Sequence, residues 1–310
     1  MNIIEERVLI EGKNTIGATI SRPDDTRRPL VLLIMGTGKS DRDGNIRGFK
    51  SNLYKNMSDM FVNMGCVCIR YDKRGTFESG GVYKTAGLSD FVQDSASVIK
   101  YAKTLPYVDH NKIIACGHSE GAMIATLLTK QTQLDKIILL GGACMCLRSA
   151  MEYQNQRILD EFKDKKGFMA WLLNKTLSKK KIEQQLNSFY EKAKNSQKDT
   201  FFFRGAFIPT KWIKEHGSLT DSDYIQMIED YNGKVLAITG KSDLQADYTY
   251  LDKIAEFENV TTYTPDKVNH MLKEVNDNNS ILTLKKQYKR LIPAPIHKET
   301  QQKIEEFLEL

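Results

Sequence analysis

The sequence predicts an α/β protein with a mostly parallel central sheet flanked by helices. Short apolar runs alternate with segments of helical periodicity, and continuous apolarity over so few residues is typical of strands that are buried on both faces. Leu30–Met35 and Cys66–Tyr71 are such runs, and the other predicted strands of the sheet are Lys112–Cys116, Lys136–Leu140, Lys234–Thr239 and Val260–Tyr263. Strands that alternate with helices form parallel βαβ units, so their carboxyl ends meet at one edge of the sheet, where ligands bind.

Turn signals and helical periodicity place the other elements. A strand pair is predicted at Arg7–Ile10 and Thr15–Ser21, with Gly12-Lys13-Asn14 as its turn. The predicted helices are Asn52–Met64, Asp90–Leu105, Glu120–Lys130, Tyr248–Phe257 and Lys298–Leu308.

The alternation stops between residues 145 and 230, where helical patterns continue without a clear buried strand. A helical block inserted between strands of one sheet predicts a cap, or lid, over the sheet. We therefore expect residues 1–144 and 231–310 to form one core domain and residues 145–230 to form the cap.

Composition bounds the class of protein. The 310 residues are 41% hydrophobic and 27% charged, which is ordinary for a folded globular chain. No apolar run approaches the ~18 residues that a membrane span needs. Glu5, Glu6 and Arg7 stand where a signal peptide would have its apolar core. We therefore expect a cytoplasmic protein without a membrane partner.

The net charge of +6 is concentrated in one segment. Between Arg157 and Asp199, eleven Lys and Arg residues stand against six Asp and Glu residues. The favoured interpretation is a solvated helical face, because no nucleic-acid signature accompanies the charge; attraction of an acidic partner is the alternative. We expect no nucleic-acid partner, and the sequence leaves a homodimer open.

The five cysteines are predicted to be buried, reduced thiols. Their number is odd, no export signal precedes them, and the two Cys-x-Cys pairs are closer together than the usual zinc ligands. They are Cys66, Cys68, Cys116, Cys144 and Cys146. We therefore expect neither a disulfide framework nor a metal site.

The segment Gly117-His118-Ser119-Glu120-Gly121 matches the pattern G-x-S-x-G between a predicted strand and a predicted helix. A strand-to-helix turn this tight strains the central residue and exposes its side chain. A β-carbon at either flanking glycine would collide with the neighbouring strand or helix. Ser119 is therefore the predicted nucleophile.

A nucleophilic serine needs a base, and the base needs a carboxylate that orients it. Of the five histidines, His270 is the one that topology brings to Ser119, because it follows the strand Val260–Tyr263 at the same sheet edge. Asp243 follows the neighbouring strand and is the favoured carboxylate. Asp247 is the alternative, although it looks more like a residue that caps the next helix.

Attack on a carbonyl creates an oxyanion, which needs two hydrogen-bond donors. The main-chain N–H of Glu120 is one candidate, and that of Thr37, after the first parallel strand, is the other. Gly36 and Gly38 flank Thr37 and let the backbone approach a substrate; with His118 they are the predicted substrate-binding residues. This chemistry requires no metal and no organic cofactor.

The sequence resembles the α/β-hydrolase superfamily from about Pro29 onward. The segments that carry the resemblance are MGTGKSDRDGN at 35–45, RYDKRGTFESGG at 70–81, GHSEG at 117–121, ITGKSDLQAD at 238–247 and NHML at 269–272. They look like the esterase and dienelactone-hydrolase-like branch, which also contains serine aminopeptidase-like members. The resemblance implies an α/β-hydrolase fold with a helical cap and a serine triad of Ser119, Asp243 and His270, in the chain order of the superfamily.

The chain departs from the family pattern at two positions. Met35 stands where many members have histidine, and Asp247 stands where many have proline. Dienelactone hydrolases use a cysteine nucleophile, so Ser119 favours ester chemistry on other substrates.

The expected function is that of a serine esterase, which cleaves a small-molecule ester of a small or medium acyl group through an acyl-enzyme. A thioesterase, acyltransferase or peptidase would use the same triad, and a ligand-binding protein on this fold is the non-enzymatic alternative. Phe201–Phe203 and Trp212 are predicted to be core residues of the cap, with acyl contacts as the alternative.

Two charged segments, Asp41-Arg42-Asp43 and Asp72-Lys73-Arg74-Gly75, have no direct chemical task in this scheme. We predict that they form a network of ion pairs between loops and hold the oxyanion loop. Arg74→Ala would then lower stability or turnover.

Overall fold

An eight-stranded sheet forms the centre of the computed structural model, which describes residues 3–163, 178–203, 205–276 and 279–309. The strands, in chain order, are β1 Ile4–Ile10, β2 Ile16–Arg22, β3 Arg28–Ile34, β4 Asn45–Ile46, β5 Phe49–Lys50, β6 Val67–Tyr71, β7 Val108–His118, β8 Lys136–Leu140, β9 Thr200–Phe203, β10 Ala206–Pro209, β11 Lys234–Ile238 and β12 Val260–Tyr263. The sheet order is β1-β2-β6-β3-β7-β8-β11-β12.

The last six strands in this order (β6, β3, β7, β8, β11 and β12) run parallel to one another. Strand β2 is antiparallel to both of its neighbours, β1 and β6. The carboxyl ends of the parallel strands therefore lie at one edge, as the sequence predicts. The described α-helices are α1 Leu53–Asn63, α2 Leu88–Ala102, α3 Glu120–Leu128, α4 Leu147–Lys163, α5 Lys179–Asn195, α6 Thr210–Gly217, α7 Asp221–Glu229, α8 Leu284–Leu291 and α9 Lys298–Leu308.

The sheet is covered on both faces, which explains the continuous apolar runs. In β3, Leu30, Leu32 and Ile34 join one hydrophobic cluster with residues of α2 and α3. The alternate residues Val31 and Leu33 join a second cluster with residues of α1 and α9. Successive side chains of a strand point to opposite faces, so a strand between two layers of helices must be apolar at every position.

The block between β8 and β11 contains four described helices, α4 to α7, and also a hairpin of β9 and β10. The helical pattern of this block does not predict the hairpin. The run Phe201–Phe203 alternates as a strand does: the rings of Phe201 and Phe203 lie 5.5 and 4.7 Å from the ring of Phe189, whereas Phe202 is exposed and stacks edge-on with Phe207. Residues 164–177 of the predicted cap lie outside the described residues.

Two further differences lie after β11. Tyr248–Lys253 is a 3-10 helix, shorter and tighter than the helix predicted to continue to Phe257. Helix α8 (LKKQYKRL) was not predicted, because its sequence is strongly polar and Gln287 is its buried residue. Among the described residues, no helix is both long and apolar enough to span a bilayer.

The five cysteines are buried and unpaired, as the sequence predicts. Burial raises the pKa of each of these thiols, to about 12 for Cys66, Cys68 and Cys144. None of them is therefore activated as a thiolate near neutral pH.

Candidate active site

Ser119 stands between the end of β7 and the start of α3, in a backbone conformation that L-residues rarely adopt (φ 58°, ψ −123°). The flanking glycines make this turn sterically possible. A β-carbon on Gly117 would lie 2.0 Å from the carbonyl oxygen of Gly121, and one on Gly121 would lie 2.0 Å from the carbonyl oxygen of Ile34. Ser119 is half-buried while its neighbours His118 and Glu120 are buried, so the turn presents the serine outward.

His270 contacts Asp243, and Nδ1 of the ring lies 2.7 Å from Oδ2 of the carboxylate. The other carboxylate oxygen accepts hydrogen bonds from the main-chain N–H groups of Gln245 (2.7 Å) and Ala246 (3.0 Å). Asp243 is 1% exposed and His270 is 6% exposed. Because a carboxylate only accepts, Nδ1 of His270 carries the proton, and Nε2 remains available as a base.

Asp247, the alternative carboxylate, has a different role in the structure. Its Oδ1 accepts a hydrogen bond from the main-chain N–H of Thr249 at 3.1 Å, at the N-terminus of the 3-10 helix. The structure therefore places Asp243 against His270 and uses Asp247 as a cap.

The glycine pair after β8 packs between Ser119 and the histidine–aspartate pair. A β-carbon on Gly141 would lie 3.0 Å from Nδ1 of His270 and 3.2 Å from Oδ2 of Asp243. A β-carbon on the next residue, Gly142, would lie 2.9 Å from the carbonyl oxygen of Ser119. Gly141 thus lies against His270 and Asp243, and Gly142 lies against Ser119. The three predicted residues are therefore all next to the loop after β8.

The loop that carries His270 is fixed by its neighbours. The side-chain Oδ1 of Asn269 accepts hydrogen bonds from the N–H groups of Met271 (3.0 Å) and Lys273 (3.1 Å). The buried Nζ of Lys273 donates to the carbonyls of Leu291, the last residue of α8, and of Ile292, which follows it. Burial lowers the pKa of Lys273. Helix α8 thereby anchors the histidine loop.

His118 uses both ring nitrogens inside the protein. Its Nε2 donates to the carbonyl oxygen of His270 (2.8 Å), and its Nδ1 accepts from the hydroxyl of Tyr54 (3.1 Å), which in turn accepts from the N–H of Gly36 (2.8 Å). Burial and the nearby His270 lower the pKa of His118 to about 3, so the ring is neutral. Instead of a free nitrogen for substrate, the predicted role, His118 provides a link between two loops of the site.

The predicted oxyanion loop follows β3 at the same edge. Gly36 lies against the nucleophile, since a β-carbon there would be 2.9 Å from Cβ and 3.4 Å from Oγ of Ser119. Thr37 is exposed, and Gly38 adopts a positive φ of 116° with open space around it. The roles of Gly36, Thr37, Gly38 and Glu120 toward a substrate stay predictions.

The side chain of Glu120 forms a buried network that the sequence analysis did not find. Its Oε2 accepts from Nζ of Lys73 at 2.6 Å, and its Oε1 accepts from Nε2 of His216 at 3.1 Å and from the indole N–H of Trp212. Burial by itself would raise the pKa of Glu120, but Lys73 and His216 together lower it, so the group is ionised. A lysine after a core strand and two residues of α6 therefore meet directly behind the nucleophile.

The charged loop segments pair as predicted in one case and differently in another. Arg42 lies 2.5 Å from Asp72 and joins the two segments. Arg74 instead binds Asp90 and Asp94 of α2, so the prediction that Arg74 holds the oxyanion loop is wrong. The residue that reaches that loop is Lys73, whose Nζ donates to the carbonyl oxygen of Gly36 at 2.8 Å.

Comparison with known proteins identifies the family. The family model described as "Serine aminopeptidase, S33" matches residues 47–243, which is more than half of the chain. The chain belongs to this family. The matched segment includes Ser119 and Asp243 and ends before His270.

The similar proteins include an esterase and a peptidase. Esterase EstD of Thermotoga maritima is 22% identical over 249 residues, which cover 79% of this chain and 54% of EstD. The chain thus spans about half the length of this curated relative. Est1E from Butyrivibrio proteoclasticus, solved with ferulic acid bound, is similar with a TM-score of 0.58 at 16% identity, over 93% of this chain and 99% of that chain. The proline iminopeptidase of Mycobacterium smegmatis has a TM-score of 0.57 at 13% identity, over 98% of both chains.

These structural likenesses show that the fold is that of the α/β hydrolases. Within the described ranges, no group of three or more His, Cys, Asp or Glu side chains is arranged to hold a metal ion.

Proposed function

We propose that this chain is a serine hydrolase that cleaves carboxylic esters through an acyl-enzyme. The observation that carries the proposal is the contact between His270 and Asp243 at 2.7 Å, beside a serine held in a strained turn. A buried carboxylate that fixes the tautomer of a histidine is what a general base for a serine requires. Membership of the serine aminopeptidase family and the similarity to Esterase EstD support it.

In the proposed mechanism, Nε2 of His270 takes the proton of the Ser119 hydroxyl as the oxygen attacks the ester carbonyl. The oxyanion of the tetrahedral intermediate accepts hydrogen bonds from the N–H groups of Thr37 and Glu120. His270 then gives its proton to the leaving alkoxide, which departs as an alcohol, and Ser119 keeps the acyl group. Water, deprotonated by His270, repeats the steps and releases the carboxylic acid.

The proposed substrates are esters of small or medium acids. A cavity of about 460 Å³ lies between α4, α5 and the 3-10 helix, and Met145, Tyr153, Ile182 and Tyr250 give it an apolar lining in part. Tyr153 links this cavity to the predicted site, since its hydroxyl donates to the main-chain carbonyl of Asp243 at 3.0 Å. Ferulic acid bound to Est1E makes hydroxycinnamate esters one class worth testing.

The first prediction is that Ser119→Ala abolishes hydrolysis of p-nitrophenyl acetate and butyrate, with a fall in kcat of about 10⁴-fold or more. The reason is that the hydroxyl supplies the bond to the acyl group. Steady-state assays and labelling by a fluorophosphonate probe measure the effect. Ser97→Ala, on the solvent side of α2, is the matched control and should keep wild-type activity. Equal turnover by wild type and Ser119→Ala would refute the proposal.

The family description and the proline iminopeptidase neighbour favour amide hydrolysis as the second candidate. The same triad could attack an amide, so the shape and polarity of the substrate pocket determine whether esters or amides are cleaved. A panel of matched esters, acyl thioesters and aminoacyl p-nitroanilides at equal concentration separates the three. A kcat/KM for a p-nitroanilide above that for every ester would assign the peptidase function instead.

A further inference from the structure

We propose that Lys73 is a positioning residue, which orients the peptide group that donates the Thr37 N–H to the oxyanion. The inference rests on the proposed function, because it assumes that an oxyanion forms at Ser119. It concerns a side chain that the mechanism above does not use and that lies behind the site, out of reach of a substrate.

Lys73 is buried, with 2% of its surface exposed, and its ammonium group has three N–H donors. One donates to the carbonyl oxygen of Gly36 at 2.8 Å, and another donates to Oε2 of Glu120 at 2.6 Å. The ammonium also lies 4.8 Å from the centre of the Phe91 ring, within range of a cation–π contact. The lysine thus contacts the main chain of the oxyanion loop and the residue that follows the nucleophile.

The carbonyl of Gly36 and the N–H of Thr37 belong to the same peptide group. In a planar trans peptide these two bonds point in opposite directions. A lysine that holds the Gly36 oxygen on the buried side therefore turns the Thr37 N–H toward the open side, and Thr37 is exposed. Because Gly36 packs against Ser119, the Thr37 N–H points out of the protein next to the nucleophile.

Gly36 is held at both ends. Its own N–H donates to the Tyr54 hydroxyl, and its carbonyl accepts from Lys73. The first of these bonds makes the Gly36 N–H unavailable to a substrate, and the second prevents the next peptide from rotating. Donors fixed before the reaction stabilise a developing charge without a cost of reorganisation.

The charge of Lys73 adds to this geometry. A cation next to a carbonyl oxygen draws electron density toward that oxygen and makes the N–H of the same peptide a stronger donor. Glu120 is the counter-ion, and its second oxygen is held by His216 and Trp212. The carboxylate is therefore directed into the protein, away from the face on which the oxyanion would form.

The neighbours of Lys73 fix its position along the loop. Asp72 accepts from both the main chain and the side chain of Arg42, and Arg74 binds Asp90 and Asp94 of α2. Ion pairs on either side of Lys73 thus anchor the backbone from which its side chain extends.

The second prediction is that Lys73→Met lowers kcat for p-nitrophenyl acetate by about 10- to 100-fold and changes KM by less than about threefold. An interaction made only in the transition state affects kcat, and loss of a single oxyanion donor costs about 10²–10³. Lys136→Met is the matched control: Lys136 is also buried and donates to two carbonyls, of Phe307 and Leu308, at the far end of β8. This control should lower the melting temperature and leave kcat within about twofold. An unchanged kcat in folded Lys73→Met would overturn the inference.

Lys73→Met leaves Glu120 as a buried carboxylate without its main partner, which can unfold the protein. The double variant Lys73→Met/Glu120→Gln removes both charges and keeps the main-chain N–H of residue 120. We expect it to regain most of the melting temperature while kcat stays at least about 10-fold low. Recovery of wild-type kcat would show that Lys73 serves only to neutralise Glu120, and the inference would fail.

The wild type and Ser119→Ala are assayed beside these variants. A wild type that neither hydrolyses esters nor reacts with a fluorophosphonate defeats the proposed function itself. An active wild type with an equally active Lys73→Met defeats the positioning role alone.

Discussion

His118 lies next to Ser119 in the chain, but its hydrogen bonds are to Tyr54 and to the main chain of His270. A neutral imidazole suits this position, because it accepts at one nitrogen and donates at the other. A protonated ring would have two donors and would lose the bond from Tyr54. Burial and the neighbouring His270 lower the pKa of His118 to about 3, which keeps the ring in the neutral form that these two hydrogen bonds require.

The third prediction follows from the sign of that shift. In the unfolded chain His118 takes up a proton near pH 6.5, whereas in the folded protein it stays neutral down to about pH 3. Between about pH 6.5 and pH 3, unfolding is therefore accompanied by uptake of a proton at His118. As the pH decreases through this range, His118 lowers the free energy of unfolding by up to about 1.4 kcal/mol per pH unit. Denaturant titrations of wild type and His118→Gln at pH 7, 6, 5 and 4 measure it. The difference in the free energy of unfolding between wild type and His118→Gln should become smaller as the pH decreases. A difference that is the same at all four pH values would contradict the prediction.

The sequence could bring Ser119, Asp243 and His270 together because each follows a parallel strand at the same sheet edge. Their placement needed only the order of strands and the local motif. His216 could not be predicted in this way, since its partner Glu120 lies 96 positions away in the chain and in a different structural block. Helical periodicity in residues 145–230 does not show which residue of the core a helix face will contact. The sequence indicates that the charged segment with Lys73 contacts other loops. Its contact with Gly36 depends on a loop conformation that residue spacing does not predict.

At the scale of elements, the apolar runs of the parallel sheet were enough to predict the strands. Lys136–Leu140 and Val260–Tyr263 agree with the structure at both ends. The strand predicted at Lys112–Cys116 is longer, Val108–His118: it includes the polar residues 109–111 before the apolar run and the buried Gly117 and His118 after it. The hairpin of β9 and β10 was missed since only four residues on each side alternate, and three consecutive phenylalanines hide that alternation.

Helix α2 is held to the core by a buried arginine. Arg74 donates to both carboxylate oxygens of Asp94, to the carboxylate of Asp90 and to the main-chain carbonyl of Asp90. Burial raises the pKa of Asp94 despite this pairing, so the ionised form of Asp94 depends on Arg74. The ion pairs of Arg74 therefore fix the first turns of the helix.

The fourth prediction is that Arg74→Ala destabilises the protein by about 3 kcal/mol or more, because it leaves the buried carboxylate of Asp94 without its ion-pair partner, whereas Asp90 keeps Lys211. Thermal and denaturant unfolding measure the effect. Lys303→Ala is the control: it breaks an exposed ion pair with Glu306 and should cost less than about 1 kcal/mol. Losses of similar size in the two variants would contradict the role assigned to Arg74.

At the scale of the whole molecule, the inserted block and the sheet meet at several points around the site. Tyr153 of α4 donates to the carbonyl of Asp243, and Glu215 of α6 accepts from Ser89 at the start of α2. The innermost contact is Glu120, which accepts from Lys73 on the core side and from His216 and Trp212 on the side of the inserted block. One buried carboxylate therefore joins the nucleophile turn to α6.

The fifth prediction tests this junction. His216→Leu removes one donor to Glu120, and the lost hydrogen bond to an ionised group should weaken the docking of α6 by about 1.5–3 kcal/mol. Hydrogen–deuterium exchange should then become faster by about 10-fold or more in residues 210–217, while β3, β7 and β8 exchange as in the wild type, because local opening follows local stability. Lys214→Ala, on the exposed side of the same helix, should leave exchange in residues 210–217 near the wild-type rate. Equal exchange in the two variants would show that the hydrogen bond from His216 to Glu120 does not hold α6, and that its other contacts, including the bond from Trp212 to the same carboxylate, are enough to keep the helix on the sheet.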